Sequence, residues 1–423
     1  MGPVPQTFSI PDDEQQRTVS TAGSTPGRGA GWQPGSGPRV PALDGVRGLA
    51  ILLVILFHHT LMAQATAFDR IYVNLVRIGW SGVDLFFVLS GFLITGLLVD
   101  SKGGPHYYRN FYIRRTLRIF PLYYAFLFYV LYVCPWLWPD TPLAAMAREA
   151  MADRSEAWYW LYVPNVLFAR DETFGHPNLA VTWSLAIEEQ FYLVWPLIVA
   201  LTSRRALMWT CGALICVALA ARTWLVLMEA NPIVPYVLPM CRMDALAAGA
   251  LVALALRSGE APGVAGARLL SIARPVAPGA AVIVLMIWWA EDPQNGGDWT
   301  EPIMQTAGYT TLALGFGAVV ALAAAGDAGS WVVRCLSVSP LRTLGRYSYA
   351  LYLFHVPVRR FIRDEYFPVA SFPTWFDSPL PGQLLFYVVA TAPAFAVAWL
   401  SWHLYERRWL ALARYFPYAK KSS

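Results

Sequence analysis

Apolar segments close to the roughly 20 residues that a bilayer core demands recur along this chain from residue 43 to its end. Their positions predict ten membrane-spanning helices, at 43–63, 80–100, 117–137, 181–202, 206–227, 235–256, 276–290, 305–326, 346–358 and 383–403. The seventh and ninth are the shortest. The aromatic stretch AWYWLYVPNVLF, residues 157–168, is too short to cross and is expected at the membrane interface. The fold class this implies is all-α and polytopic, with about ten transmembrane helices.

Residues 1–40 break the pattern. They are rich in Gly, Ser, Thr, Pro and Gln and hold no apolar run, so they cannot offset their ordering entropy and are expected to be disordered. They also lack the apolar core of a signal peptide. The expected organisation is a disordered cytoplasmic segment at 1–40, a transmembrane domain at 41–405 and a basic cytoplasmic tail at 406–423.

Composition supports the membrane reading. Of 423 residues, 57% are hydrophobic and 14% charged, and the mean hydropathy is +0.43. An ordinary soluble domain carries about 25% charged residues. The 18 Trp and 21 Tyr can furnish two interfacial belts. A net charge of +5, with no basic run interleaved with aromatics, excludes a nucleic-acid partner. The basic residues instead report topology. With both termini cytoplasmic, only Arg70, Arg77, Arg148, Arg154, Arg170, Arg359, Arg360 and Arg363 fall in outer loops. Arg222 and Arg242 fall within spans, and every other Lys and Arg lies inside, as the positive-inside rule requires.

Ionisable residues within spans are expensive and are functional candidates by default. His58 lies near the end of the first span and Arg47 near its cytoplasmic start. Eleven residues is three helical turns, so both face one side, roughly 16 Å apart along the axis. One long ligand could touch both. The bland alternative for His58 is a helix–helix hydrogen bond. Neighbouring His59 points about 100° away and is read as structural.

The run RNFYIRRTLR holds a second cluster, in which Arg114 and Arg118 share a face, as do Arg115 and Arg118. Such a comb suits a phosphate-bearing ligand and equally an anchor against anionic lipid. Glu188 and Glu189, in WSLAIEEQFYLVWP, diverge by about 100°, so one could face a cavity while the other meets a cation. Ser90-Gly91 would let backbones approach closely. Arg242 and Asp244 read as a local ion pair, and His355 competes with His58 as a catalytic base. The five cysteines are scattered and read as small core residues. No metal site, activated nucleophile or phosphate-binding loop is evident.

Five motifs together resemble the acyltransferase-3 family. They are PALDGVRGLAILLVILFHH, GVDLFFVLSGFLIT, RNFYIRRTLRIFPLYY, WSLAIEEQFY and SYALYLFHVP, in that order. The resemblance implies ten spans and O-acylation of a sugar or glycosylated small molecule, with acyl-CoA as co-substrate and no bound cofactor. The family's arginine–ten residues–histidine signature falls on Arg47 and His58, and its arginine motif on Arg114, Arg115 and Arg118. A stand-alone version without a C-terminal hydrolase domain is expected, in a bacterial cytoplasmic membrane. A surface glycan, a glycolipid and a macrolide-type antibiotic all remain open as acceptors. The rival reading is a transporter or flippase for a glycolipid or antibiotic, against which stands the lack of an internal repeat.

Overall fold

The computed structural model describes residues 40–152, 154–291 and 298–418. The segment expected to be disordered lies outside the described residues apart from Val40, as does the tail beyond Tyr418. The described chain is helical, and its one strand-like pairing is a single bridge between Trp375 and Ser378.

Ten long helices answer to the ten expected spans. They are α1 (Pro41–His59), α2 (Gly82–Ser101), α3 (Tyr107–Phe128), α4 (Thr182–Leu201), α5 (Arg204–Leu227), α6 (Pro239–Leu256), α7 (Pro262–Ala290), α8 (Tyr309–Ala325), α9 (Ser339–Glu365) and α10 (Leu380–Ser401). Nine of them lie in segments long and apolar enough to cross a membrane, among the described residues. The exception is α9, which is 27 residues long but carries Arg342 and Arg346 toward one end and Arg359, Arg360 and Arg363 toward the other. Its apolar stretch faces other helices rather than lipid, so mean hydropathy underrates it. The seventh expected span is longer than its apolar core suggested, because α7 begins at Pro262, an N-terminal position that suits proline. The interfacial stretch folds as two short helices, Ala157–Trp160 and Pro164–Asp171, which bury Tyr159, Leu167 and Phe168.

Small residues set the two tightest seams. A methyl group on Gly91 of α2 would run into the Leu246 carbonyl oxygen of α6, and one on Gly249 into that of Val88. Gly345 of α9 meets the Asp44 carbonyl of α1 in the same way. Close backbone approach of this kind is how membrane helices associate when lipid is as apolar as leucine. It draws α2 against α6 and α1 against α9.

Polar groups fasten the helix ends. At the end of α1, Gln383 accepts from the backbone N–H groups of Leu61 and Met62 and donates to the His59 carbonyl. At the opposite end of the bundle, Lys102 donates to the carbonyls of Val199 and Thr202. Orphan helix-end carbonyls are satisfied in this way. Arg257 makes a paired bond to Asp100, both N–O distances 2.7 Å, and ties α6 to α2.

Two sequence readings change. Arg242 and Asp244 do not pair: Arg242 bonds Asp84 at 2.7 Å and Asp244 bonds Arg222 at 2.7 Å. Residues two apart on a helix point some 200° away from each other, so each reaches a different neighbour. Of the cysteines, only Cys211 and Cys241 are buried; Cys134 is half-buried, and Cys216 and Cys335 are exposed.

Candidate active site

One cavity opens among α1, α2, α3, α4 and α9. Arg47 contributes from α1, Ser90 from α2, Arg115 and Arg118 from α3, Ser184 and Glu188 from α4, and Tyr349 and Tyr352 from α9. Ser184, Glu188 and Tyr192 recur every four residues, so one stripe of α4 supplies three polar groups to one wall. Helix phase explains Arg115 and Arg118 likewise, three apart on one face of α3.

The electrostatics of this wall are lopsided. Three guanidinium groups share it with a single carboxylate, Glu188. Arg47 bonds Asp44 one turn away at 3.2 Å, and Nε of Arg115 is buried without a hydrogen-bond partner. Arg118 is exposed, which marks the mouth of the cavity. An excess of unspent donors suits a multiply charged anion. Deeper in, the Ser90 and Tyr192 hydroxyls bond each other, and Ser184 and Tyr352 do so at 2.6 Å.

The cavity stops at Tyr352, one turn short of a histidine cluster. Nε2 of His355 lies 3.3 Å from Nδ1 of His58. Nδ1 of His58 is also 3.0 Å from the Val54 carbonyl. Nδ1 of His355 is 2.8 Å from the Tyr352 carbonyl and 3.1 Å from that of Leu351. His355 is wholly buried, whereas His58 is half-buried. Arg359 donates to the His58 carbonyl. His59 faces Thr391 at 3.2 Å and is fully buried, with Nε2 unpartnered.

Not every sequence candidate meets at the cavity. Arg114 points away from it and donates to the carbonyls of Ala413 and Phe416, while its guanidinium covers the Tyr418 ring. With Asn110, which donates to Pro417, it fastens the C-terminal tail to α3. Glu189 makes no salt bridge among the described residues, although Arg115 is near enough to act on it electrostatically; its Oε1 is buried without a hydrogen-bond partner on the side of α4 that faces Tyr123, Tyr124 and Tyr162. Gly91 acts in the α2–α6 seam rather than on the cavity wall. Arg242 and Asp244 sit in a separate buried network with Asp84, Arg222 and Thr310, where Arg242 lies 4.3 Å from the Tyr309 ring centroid.

The sequence reading passed over Ser184, Tyr192 and Tyr352. The first two could have been found from their four-residue spacing either side of Glu188, and Tyr352 from its place one turn before His355. Among the described residues no group of three or more His, Cys, Asp and Glu could hold a metal ion.

The chain is 27% identical over 328 residues to a peptidoglycan O-acetyltransferase of Listeria monocytogenes, a match that covers 75% of this chain and 49% of the relative. It is 28% identical over 344 residues to an O-acetyltransferase of Staphylococcus aureus, covering 77% and 52%. A Bacillus subtilis protein provisionally named a peptidoglycan O-acetyltransferase is 28% identical over 337 residues, covering 75% and 48%. The chain thus spans about half the length of the curated relatives it matches. No solved structure matches it. The family described as an acyltransferase domain matches residues 40–403, from the start of α1 to just past α10. The match takes in every helix that builds the cavity and the histidine cluster, and the chain belongs to the acyltransferase-3 family.

Proposed function

We propose that this chain is an integral-membrane O-acyltransferase that moves an acyl group from acyl-CoA to a hydroxyl of a carbohydrate or glycosylated acceptor. The observation that carries the reading is the cavity lined by Arg47, Arg115 and Arg118 that reaches Tyr352, one helical turn before His355, whose ring meets that of His58. Arg47, Arg115 and Arg118 take the phosphates of acyl-CoA at the mouth, and the pantetheine arm extends toward Tyr352. Glu188 balances the arginines when no donor is bound.

In the transfer, Nε2 of His58 takes the proton of the acceptor hydroxyl, and the oxygen attacks the thioester carbonyl carbon. The tetrahedral intermediate collapses with cleavage of the carbon–sulfur bond, and the departing thiolate recovers the proton from His58. General-base help of this kind contributes about 10²–10⁴ in rate. The names of the relatives favour a cell-envelope glycan over a macrolide as the acceptor class. The chain would reside in the bacterial cytoplasmic membrane with both termini inside, the orientation its basic residues favour.

The test uses the purified chain in lipid nanodiscs with acetyl-CoA and a glycan acceptor. Release of free CoA thiol that depends on acceptor, with an O-acetyl ester on the glycan, is the expected result. Movement of a glycolipid across the bilayer without CoA release would replace this reading with the transporter.

A further inference from the structure

Which of the two histidines meets the acceptor can be read from where their four ring nitrogens point. Nδ1 of His355 faces only the carbonyl oxygens of Leu351 and Tyr352, at 3.1 and 2.8 Å. Carbonyls accept and do not donate, so this nitrogen carries the proton. In the neutral ring Nε2 of His355 is therefore a bare acceptor, and it lies 3.3 Å from Nδ1 of His58. Nδ1 of His58 then faces two acceptors, that nitrogen and the Val54 carbonyl at 3.0 Å. It must carry the proton in its turn. The remaining nitrogen, Nε2 of His58, holds its lone pair free and bonds no protein group among the described residues.

We propose that His355 is a positioning residue that fixes His58 in the Nδ1–H tautomer, so that Nε2 of His58 presents its lone pair to the acceptor hydroxyl. This deepens the acyl-transfer reading and rests on it for its kinetic arm. His355 is itself ruled out as the base, because it is wholly buried and both its nitrogens are engaged. Its place corresponds to that of the carboxylate in a Ser-His-Asp triad, with a neutral ring in place of the anion. When His58 takes the acceptor proton, its Nδ1–H becomes a stronger donor to Nε2 of His355, which stabilises the cation as it forms. The chain runs from backbone carbonyls through His355 to His58, so α9 sets the chemistry of a side chain on α1.

The experiment combines nitrogen-15 spectroscopy of the imidazoles with kinetics on the full chain in nanodiscs. The chain has six histidines, and a His58→Asn sample identifies the His58 signals by their loss. The expected wild-type spectrum shows His58 protonated at Nδ1 and bare at Nε2. His355→Leu should convert His58 to a mixture of tautomers and lower kcat roughly 10²-fold, with KM for acetyl-CoA unchanged. His355→Gln can place an amide oxygen where Nε2 stood, and it should restore the tautomer and most of kcat, which a merely structural role would not predict. A wild-type His58 protonated at Nε2 overturns the proposal, and so does a folded His355→Leu protein with unaltered kcat. The tautomer is read without turnover, so a chain that transfers no acyl group defeats the proposed function alone.

Discussion

Arg242 bonds Asp84 at 2.7 Å across 158 residues of chain, although Asp244 stands two residues away. Asp244 turns instead to Arg222 and Thr310, so two ion pairs on three helices meet inside the bundle. Removing one member of such a buried pair strands a charge, whereas removing both can be tolerated. Asp84→Ala is expected to lose about 3–5 kcal/mol of stability. The double variant Asp84→Leu with Arg242→Met should lose much less than the two single changes combined. Unfolding of the detergent-solubilised variants in a double-mutant cycle checks this.

Glycine substitutions should divide by seam. Gly91→Ala and Gly249→Ala each drive a methyl group into a backbone carbonyl of the facing helix, between α2 and α6. Both should lower Tm and reduce the yield of folded protein. Gly212→Ala on α5 meets nothing within 4 Å and replaces a poor helix former, so it should leave Tm unchanged or raise it. Thermal unfolding of the three variants in one detergent separates them.

The arginines should separate by location rather than by sequence proximity. Arg115→Ala and Arg118→Ala remove donors from the cavity, and each should raise KM for acyl-CoA by about ten- to a hundred-fold, with a smaller effect on kcat. Arg114→Ala should leave KM near wild type and instead loosen the tail that Arg114 holds at Ala413 and Phe416. Steady-state kinetics, with limited proteolysis of the tail, distinguishes the two roles.

Much of this was legible before the structure. Apolar segment length located the helices because bilayer thickness imposes it, and helix phase put Arg115 and Arg118 on one face, whereas the meeting of that face with Arg47 and Glu188 is visible only in the fold. What local periodicity could not give was the pairing of positions far apart in the chain. Arg242 and Asp244 read as a pair because their true partners, Asp84 and Arg222, lie on other helices, and Arg114 read as part of the comb because its true acceptors are in the tail. The ninth helix was underestimated for a physical reason: its arginines cluster at its two ends and leave only a short, largely buried apolar middle between them. The contact of His58 with His355 spans α1 and α9, and neither sequence neighbourhood contains the other.

Acid should weaken one loop outside the membrane segments. Arg170 and Arg154 hold Asp171 at 2.7 and 2.6 Å, and these bonds keep its carboxyl below the usual carboxylate range. A depressed carboxylate stabilises the fold above its unfolded pKa, about 3.9, and that contribution is lost as pH falls through the lower folded value. The effect should be modest, because Arg170 is largely exposed. Asp171→Asn should flatten the acid limb of Tm against pH below about pH 4 while leaving the neutral region little changed.

The central claim is that His58 removes the acceptor proton, and single-turnover kinetics of His58→Ala tests it most directly. With the protein inserted and binding acetyl-CoA as the wild type does, acetyl transfer to a glycan acceptor should slow by about 10²–10⁴. Transfer at a rate near that of the wild type would contradict the account.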